Sequence, residues 1–194
     1  MIHTAMAVLA RKMAILGGAV LALLVLLVCA SVLGRSLNGF LHTVLMPVAP
    51  DLAQALLDLG IGPINGDFEV VEAGIAFAIF AFLPLCQITG GHATVDIFTN
   101  LLPARFSRIL RMVTEVVFAL VLILIAWRLG EGTMSKMSYG ETTFLLQFPI
   151  WWAYAASFGG AVVAALVGTY TAVVRGCEMF AGQVILTDGP GADH

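Results

Sequence analysis

Four apolar stretches dominate this chain, and each is long enough to cross a lipid bilayer. They lie at residues 13–34, 69–89, 108–128 and 150–174. A helix needs roughly 20 mostly apolar residues to span the hydrocarbon layer. Because lipid offers the backbone no hydrogen-bond partners, such segments must form helices. We therefore predict an all-α integral membrane protein, with four transmembrane helices in a single domain over residues 1–194.

Composition places the chain among membrane proteins rather than soluble ones. Its 194 residues have a mean hydropathy of +1.01, and only 11% of them are charged. A soluble domain carries about 25% charged residues, so a water-soluble core is excluded. The few basic residues are scattered along the chain, which excludes a nucleic-acid-binding surface. We expect the tail after about residue 182 to be disordered.

The placement of Lys and Arg predicts the orientation, because cytoplasmic loops are enriched in these residues. The side that holds both termini and the loop between the second and third spans carries six of them: Arg11, Lys12, Arg105, Arg108, Arg111 and Arg175. The opposite side carries three: Arg35, Arg128 and Lys136. We therefore predict that both termini lie in the cytoplasm.

Four aromatic residues are candidate anchors at the outer membrane surface. Trp127 ends the third span, while Trp151, Trp152 and Tyr154 begin the fourth. Trp and Tyr favour the headgroup zone because their rings are apolar with a polar edge. The sequence predicts that all four lie at one level.

The two outer loops differ in their patterns. In the first, residues 51–59 place apolar side chains at positions 52, 55, 56 and 59, which form one helical face. We predict a short amphipathic helix in this periplasmic loop, with Asp51 as its N-cap, lying on the membrane surface or against a partner. The second loop, residues 129–148, is polar and rich in Gly, Ser and Thr.

Two carboxylates lie inside the predicted spans, and both are near span ends. Glu72 is about one turn from the outer end of the second span, and Glu115 belongs to the third. Arg111 precedes Glu115 by four residues, so the two can form an ion pair on one helix face. Secondary transporters usually bind substrate and ions near the midplane. We therefore expect structural pairing for both carboxylates, with an ion relay as the alternative.

The sequence supports neither a cofactor site nor an enzyme. None of the four histidines, at positions 3, 42, 92 and 194, lies within a span, where haem ligands would have to face each other. The three cysteines lack metal-ligand spacing. No nucleophile, base and acid converge on one span end. We predict a protein with no catalytic, cofactor-binding or metal-binding residues.

Small residues recur every four positions along the fourth span, at Ala156, Gly160, Ala164 and Gly168. Such residues let helix backbones approach closely, and packing then drives association in lipid. These four are candidate subunit-packing residues. The pattern leaves open whether the face packs inside this chain or against a partner.

Three groups of residues, in order along the chain, resemble the small membrane subunit (DctQ-like) of tripartite ATP-independent periplasmic (TRAP) transporters. They are the acid pair Glu69 and Glu72, the stretch Gly91-His92-x-x-Val95-Asp96 with Leu102-Pro103, and Phe148-Pro149-x-Trp151-x-x-Tyr154. The chain departs from the family at Gln87 to Gly90, where an Arg is common. It also has Phe158-Gly159 where the family often has Pro-Gly.

The resemblance implies a non-transporting subunit of a sodium-driven importer of organic acids in the bacterial inner membrane. A large multi-span subunit would carry the substrate, and a soluble periplasmic protein would deliver it. The small subunit would brace the large one and help dock the binding protein. The candidate structural polar residues are Glu69, Glu72, His92, Asp96, Arg111 and Glu115.

Two other functional classes remain as alternatives to a TRAP transporter subunit. The chain could be a small, self-sufficient oligomeric transporter that uses Glu72 or Glu115. It could also be the membrane anchor of a redox enzyme, although it lacks histidines inside the spans.

The predicted topology can be tested with single cysteines in a background that lacks Cys29, Cys86 and Cys177. A membrane-impermeant thiol reagent added outside should label positions near Gly62 and Ser138, and it should miss Ser107. Labelling of Ser107 from the periplasm would overturn the orientation.

Overall fold

The computed structural model describes residues 2–91 and 104–181, and most of them are helical. The α-helices are α1 (Ile2–Phe40), α2 (Pro50–Asp58), α3 (Asp67–Ile88), α4 (Ala104–Tyr139) and α5 (Trp151–Ala181). A π-helical turn at Leu41–Leu45 extends α1. All except α2 are long and apolar enough to cross a membrane. The predicted all-helical fold with four membrane-length helices is confirmed, while its orientation stays a prediction.

The helices extend beyond the predicted spans, most clearly in α4. This helix continues to Tyr139, so residues 129–139 are helical rather than part of a loop as the sequence indicated. Two glycines of this Gly-rich stretch allow close approach to α5. A Cβ atom on Gly130 would lie 3.1 Å from the ring of Phe158, and one on Gly132 would lie 3.1 Å from the ring of Tyr154.

The four long helices pack in the order α1, α3, α5, α4, so that α3 and α5 are central. Helix α5 is the most buried of the four. The buried cluster between α4 and α5 consists of Leu122, Ala126, Ala161, Ala164 and Ala165. Ala10, Ile88 and Val167 form a second cluster that joins α1, α3 and α5. Large apolar side chains point outward along α1 and α4, as expected in lipid.

A seven-residue repeat positions α1 on α3. Ala10, Gly17, Leu24 and Ser31 are all buried on one face of α1. A Cβ on Gly17 would lie 2.8 Å from Cβ of Ala81, and one on Gly74 would lie 2.7 Å from Leu24. Repeats of seven keep one face of a helix on its neighbour along its whole length. The repeat therefore aligns α1 and α3 over several turns.

A short helix forms within the predicted first outer loop, at Pro50–Asp58. Its N-cap is Ala49, and Pro50 occupies the first turn, where its missing N–H has no helical partner to lose. Asp51 is therefore inside the first turn, and its prediction as the N-cap is wrong. Whether α2 lies on the periplasmic membrane surface stays a prediction.

Residues 140–150 join α4 to α5 as a compact turn, which we call the hairpin loop. Thr142 and Pro149 form an antiparallel bridge. The backbone N–H of Thr143 donates to the carbonyl of Phe148 at 3.0 Å, and Ile150 donates to Glu141 at 3.0 Å. An ion pair of 2.5 Å between Lys136 and Glu141 fixes the start of this loop to the end of α4.

Close approach at Gly160 gives a direct test of the packing. A Cβ at this position would lie 2.9 Å from Cβ of Phe80, so Gly160→Leu should overpack the contact between α5 and α3. Overpacking costs about 1–3 kcal/mol, which corresponds to several degrees in Tm for a chain of this size. Thermal unfolding in detergent micelles measures the effect.

Gly159→Leu is the matched control, because nothing lies within 4 Å of a Cβ at that position. It should melt at or above the wild-type temperature, since Leu favours helix more than Gly does. Equal melting of the two variants would contradict the packing described here.

Candidate functional site: a cavity beside Glu69 and Glu72

A cavity of about 480 Å³ lies where α3, α4 and α5 meet the hairpin loop. Its walls are mostly apolar and include Phe68, Phe80 and Leu129. The polar residues that line it are Glu69, Glu72, Thr142, Thr143, Tyr154 and Ser157. The residues described around the cavity include no Lys, Arg or His. Its volume falls in the range of about 300–1,000 Å³ that is usual for binding pockets.

Glu69 fastens the hairpin loop to the start of α3. Its carboxylate accepts hydrogen bonds from the backbone N–H groups of Leu145 at 2.7 Å and Leu146 at 2.9 Å. The residue is only 6% exposed. Hydrogen bonds to a charged group contribute about 1.5–3 kcal/mol each. The loop is therefore held by a single carboxylate, which belongs to a residue over 70 positions earlier in the sequence.

Gly66 makes room for this contact. Its φ of +82° favours glycine, and a Cβ there would lie 2.6 Å from the side chain of Leu146. The loop thus closes over the start of α3 at two adjacent points, Gly66 and Glu69.

Glu72 lines the same cavity but has no partner within the described chain. It is exposed, and the described residues give it neither a hydrogen bond nor an ion pair. Since Phe80 packs beside Gly160 and α3 runs parallel to α5, Glu72 lies about level with Trp152. It is therefore an exposed carboxylate near one end of a membrane-length helix.

Ser157, another residue of the cavity lining, has a buried hydroxyl that is unpaired in the described chain. It is 3% exposed, and its hydroxyl finds no hydrogen-bond partner among the described residues. Helical hydroxyls commonly bond the carbonyl four residues earlier, as Thr169 does to Ala165 at 2.7 Å. A buried polar group without a partner costs about 1–3 kcal/mol, so this position would gain from an external partner.

A second polar contact lies at the opposite end of the helices. The side-chain amide of Gln87, which is 3% exposed, donates to the Glu115 carboxylate at 3.0 Å. Glu72 and Gln87 are 15 residues apart on α3, or about 22 Å at 1.5 Å per residue. No charged residue lies between them on this helix. The pairing of Glu115 with Arg111 stays a prediction.

The four predicted aromatic anchors do not share one level. Gly130 packs against Phe158, and Gly168 against Leu122, so Trp127 lies about level with residue 160 of the antiparallel α5. That is nine residues beyond Trp151, or about 13 Å along α5. The prediction of one level is wrong because α4 continues past Trp127 to Tyr139. Trp151 and Trp152 form an edge-to-face pair at 6.2 Å, and Tyr154 lines the cavity.

Three of the four small residues proposed for subunit packing are buried within the chain. Gly160 faces Phe80 of α3, Gly168 approaches Leu122 of α4, and Ala164 is fully buried. Ala156 is exposed. Contact between this face and a partner stays a prediction. Because Ala156 is exposed, it is the residue of the four that a partner could contact. His92 and Asp96 lie outside the described residues.

Sequence analysis also missed the polar contacts at Asp67 and near the end of α5. Ser31, fully buried on α1, donates to the Asp67 carboxylate at 2.5 Å, and Arg35 lies 3.9 Å from the same carboxylate. The sequence held a signal for the Ser31 contact that was not used, since the seven-residue repeat of α1 puts Ser31 on the same face as Ala10, Gly17 and Leu24. Near the end of α5, Arg175 donates to Glu178 at 3.0 Å, a spacing of three residues that also favours pairing.

Four membrane-length apolar helices define a multi-pass membrane protein. The family model described as the DctQ component of tripartite ATP-independent periplasmic transporters matches residues 24–177. The chain belongs to this family and is a small component of a TRAP transporter, as the resemblance indicated. No curated protein and no solved structure matches it.

The role of Glu69 can be tested by amide hydrogen exchange. Glu69→Gln keeps the shape of the side chain but replaces one acceptor oxygen with an NH₂ group. Exchange at Leu145 and Leu146 should accelerate about tenfold or more, since a charged hydrogen bond exceeds the 1.4 kcal/mol that corresponds to a factor of ten. Glu72→Gln is the control, because Glu72 does not bond the loop, and it should leave these rates unchanged. Unchanged rates in Glu69→Gln would show that the carboxylate does not hold the loop.

Proposed function

We propose that this chain is the non-transporting small permease subunit of a sodium-driven TRAP importer of organic acids. It braces the large transport subunit in the inner membrane and helps dock the periplasmic substrate-binding protein. The main support for this proposal is the family match over residues 24–177, and the distribution of charged residues in the helices agrees with it.

The distribution of charge supports a bracing role. Between Glu72 and Gln87 on α3, and between Glu115 and Arg128 on α4, the described helices carry no ionisable side chain except Cys86. Helix α5 carries no charge from Trp151 to Val174. Ion-coupled transporters usually bind their ions near the midplane, on interrupted helices. Helix α3 runs without interruption through Pro84, and its neighbours pack on it through small residues.

The competing function is a self-sufficient oligomeric transporter that uses Glu72 or Glu115. Glu115 accepts a hydrogen bond from Gln87, while Glu72 lies about 22 Å away along α3. The two carboxylates therefore cannot form one ion site within this chain. Glu72 is exposed and lies near a helix end, which suits contact with another molecule better than ion transfer across the bilayer.

Purification and reconstitution test the proposal. A tag on this chain should recover a large multi-span protein in comparable amount from native membranes. In proteoliposomes, uptake of an organic acid should require both membrane subunits, the binding protein and a sodium gradient. Glu115→Gln should reduce recovery of the complex more than it changes the ratio of sodium to substrate. Sodium-driven uptake by this chain alone, lost in Glu72→Gln or Glu115→Gln, would instead establish the competing function.

A further inference from the structure

The described lining of the cavity beside Glu72 has unused hydrogen-bond acceptors and no Lys, Arg or His. Glu69 is satisfied by the hairpin loop, whereas Glu72 and Ser157 have no partner in the described chain. An ionisable residue within a membrane-length helix is a candidate functional site, and the carboxylate of Glu72, unpaired among the described residues, has a cation as its natural partner. Ser157 is only 3% exposed and lines the same cavity, so a second residue that lacks a described hydrogen-bond partner lies in its buried part.

The walls fit the stem of a long basic side chain. Apolar residues of α3, α4 and α5 line most of the surface, and such walls accommodate the methylene groups of Arg or Lys. Phe68 and Phe144 also line the cavity and are 57% and 87% exposed. Exposed aromatic rings are enriched in protein interfaces and can contact a cation through the ring face.

We infer that this cavity receives a basic side chain from an apolar helix of the large TRAP subunit, with the cation on Glu72 and a hydrogen bond to Ser157. This assignment rests on the proposed function, since it takes the large subunit as the neighbour. A phospholipid fits less well. Its phosphate needs a cation, and the described lining offers only acidic, neutral polar and apolar groups. A protein cation matches the single free carboxylate without leaving a second charge unpaired.

Photo-crosslinking in the intact complex identifies the occupant. A benzophenone amino acid in place of Phe144, at the exposed rim, should form an adduct with one peptide of the large subunit. Mass spectrometry of that peptide should show an Arg or Lys flanked by apolar residues. The same amino acid at Leu120, which is 62% exposed and outside the cavity lining, should not crosslink that peptide. Adducts only with phospholipid, the binding protein or a second copy of this chain would overturn the assignment.

Charge reversal then tests the pairing. Glu72→Lys should lower recovery of the large subunit about tenfold or more, and Glu72→Gln should lower it less. Reversing the crosslinked Arg or Lys to Glu in the large subunit should restore recovery with Glu72→Lys. Asp58→Lys, an exposed change of equal charge on α2, should recover the partner at the wild-type level. Glu72→Gln, which keeps the side-chain shape, separates loss of pairing from failure to fold.

The outcomes distinguish this inference from the function on which it rests. If wild-type protein recovers no large subunit, the proposed function fails. If wild type recovers it and Glu72→Lys recovers it equally, or the reversed partner restores nothing, the assignment of the cavity is wrong while the proposed function stands.

Discussion

Close approach between helix backbones is the constraint on which the rest of the structure depends. In lipid there is no hydrophobic force to bring helices together, so contact has to come from shape. Four glycine contacts join the long helices in the spatial order α1, α3, α5, α4. They are Gly17 with Ala81, Gly74 with Leu24, Gly160 with Phe80, and Gly168 with Leu122. These contacts set the register between neighbours, and the register decides which polar groups meet at each end.

In the described residues, the side-chain hydrogen bonds that join α3 to other elements lie near its two ends. At one end Glu69 holds the hairpin loop and Ser31 bonds Asp67, and at the other Gln87 bonds Glu115. The segments of α3 and α5 between these ends are uncharged, while α4 carries the exposed Arg128–Glu131 pair at an intermediate level. This distribution fits the bracing role proposed above. Glu72 is the exception, because the described chain leaves its carboxylate exposed beside an apolar cavity.

The acid pair Glu69 and Glu72 illustrates how similar residues acquire different roles. They are three positions apart on the same side of α3, and both line one cavity. The hairpin loop reaches only the first, so Glu69 is buried and satisfied while Glu72 is exposed. Glu69 therefore joins the hairpin loop to α3, whereas the exposed carboxylate of Glu72 is the one that the inference above assigns to a neighbour.

The sequence alone determined the fold class, since the length and apolarity of four segments leave the backbone only the helical option in lipid. It also determined the family, and it located both membrane-embedded glutamates and the small-residue face of α5. It could not place the end of α4, because the polar composition of residues 129–148, rich in Gly, Ser and Thr, indicated a loop, whereas Gly130 and Gly132 are contact positions against α5. Trp127 was therefore assigned the level of Trp151. Tertiary structure alone decided that Gly160, Ala164 and Gly168 face inward, that Gln87 bonds Glu115, and that the hairpin loop satisfies Glu69. Each of these depends on the register between distant helices, which a local pattern does not specify.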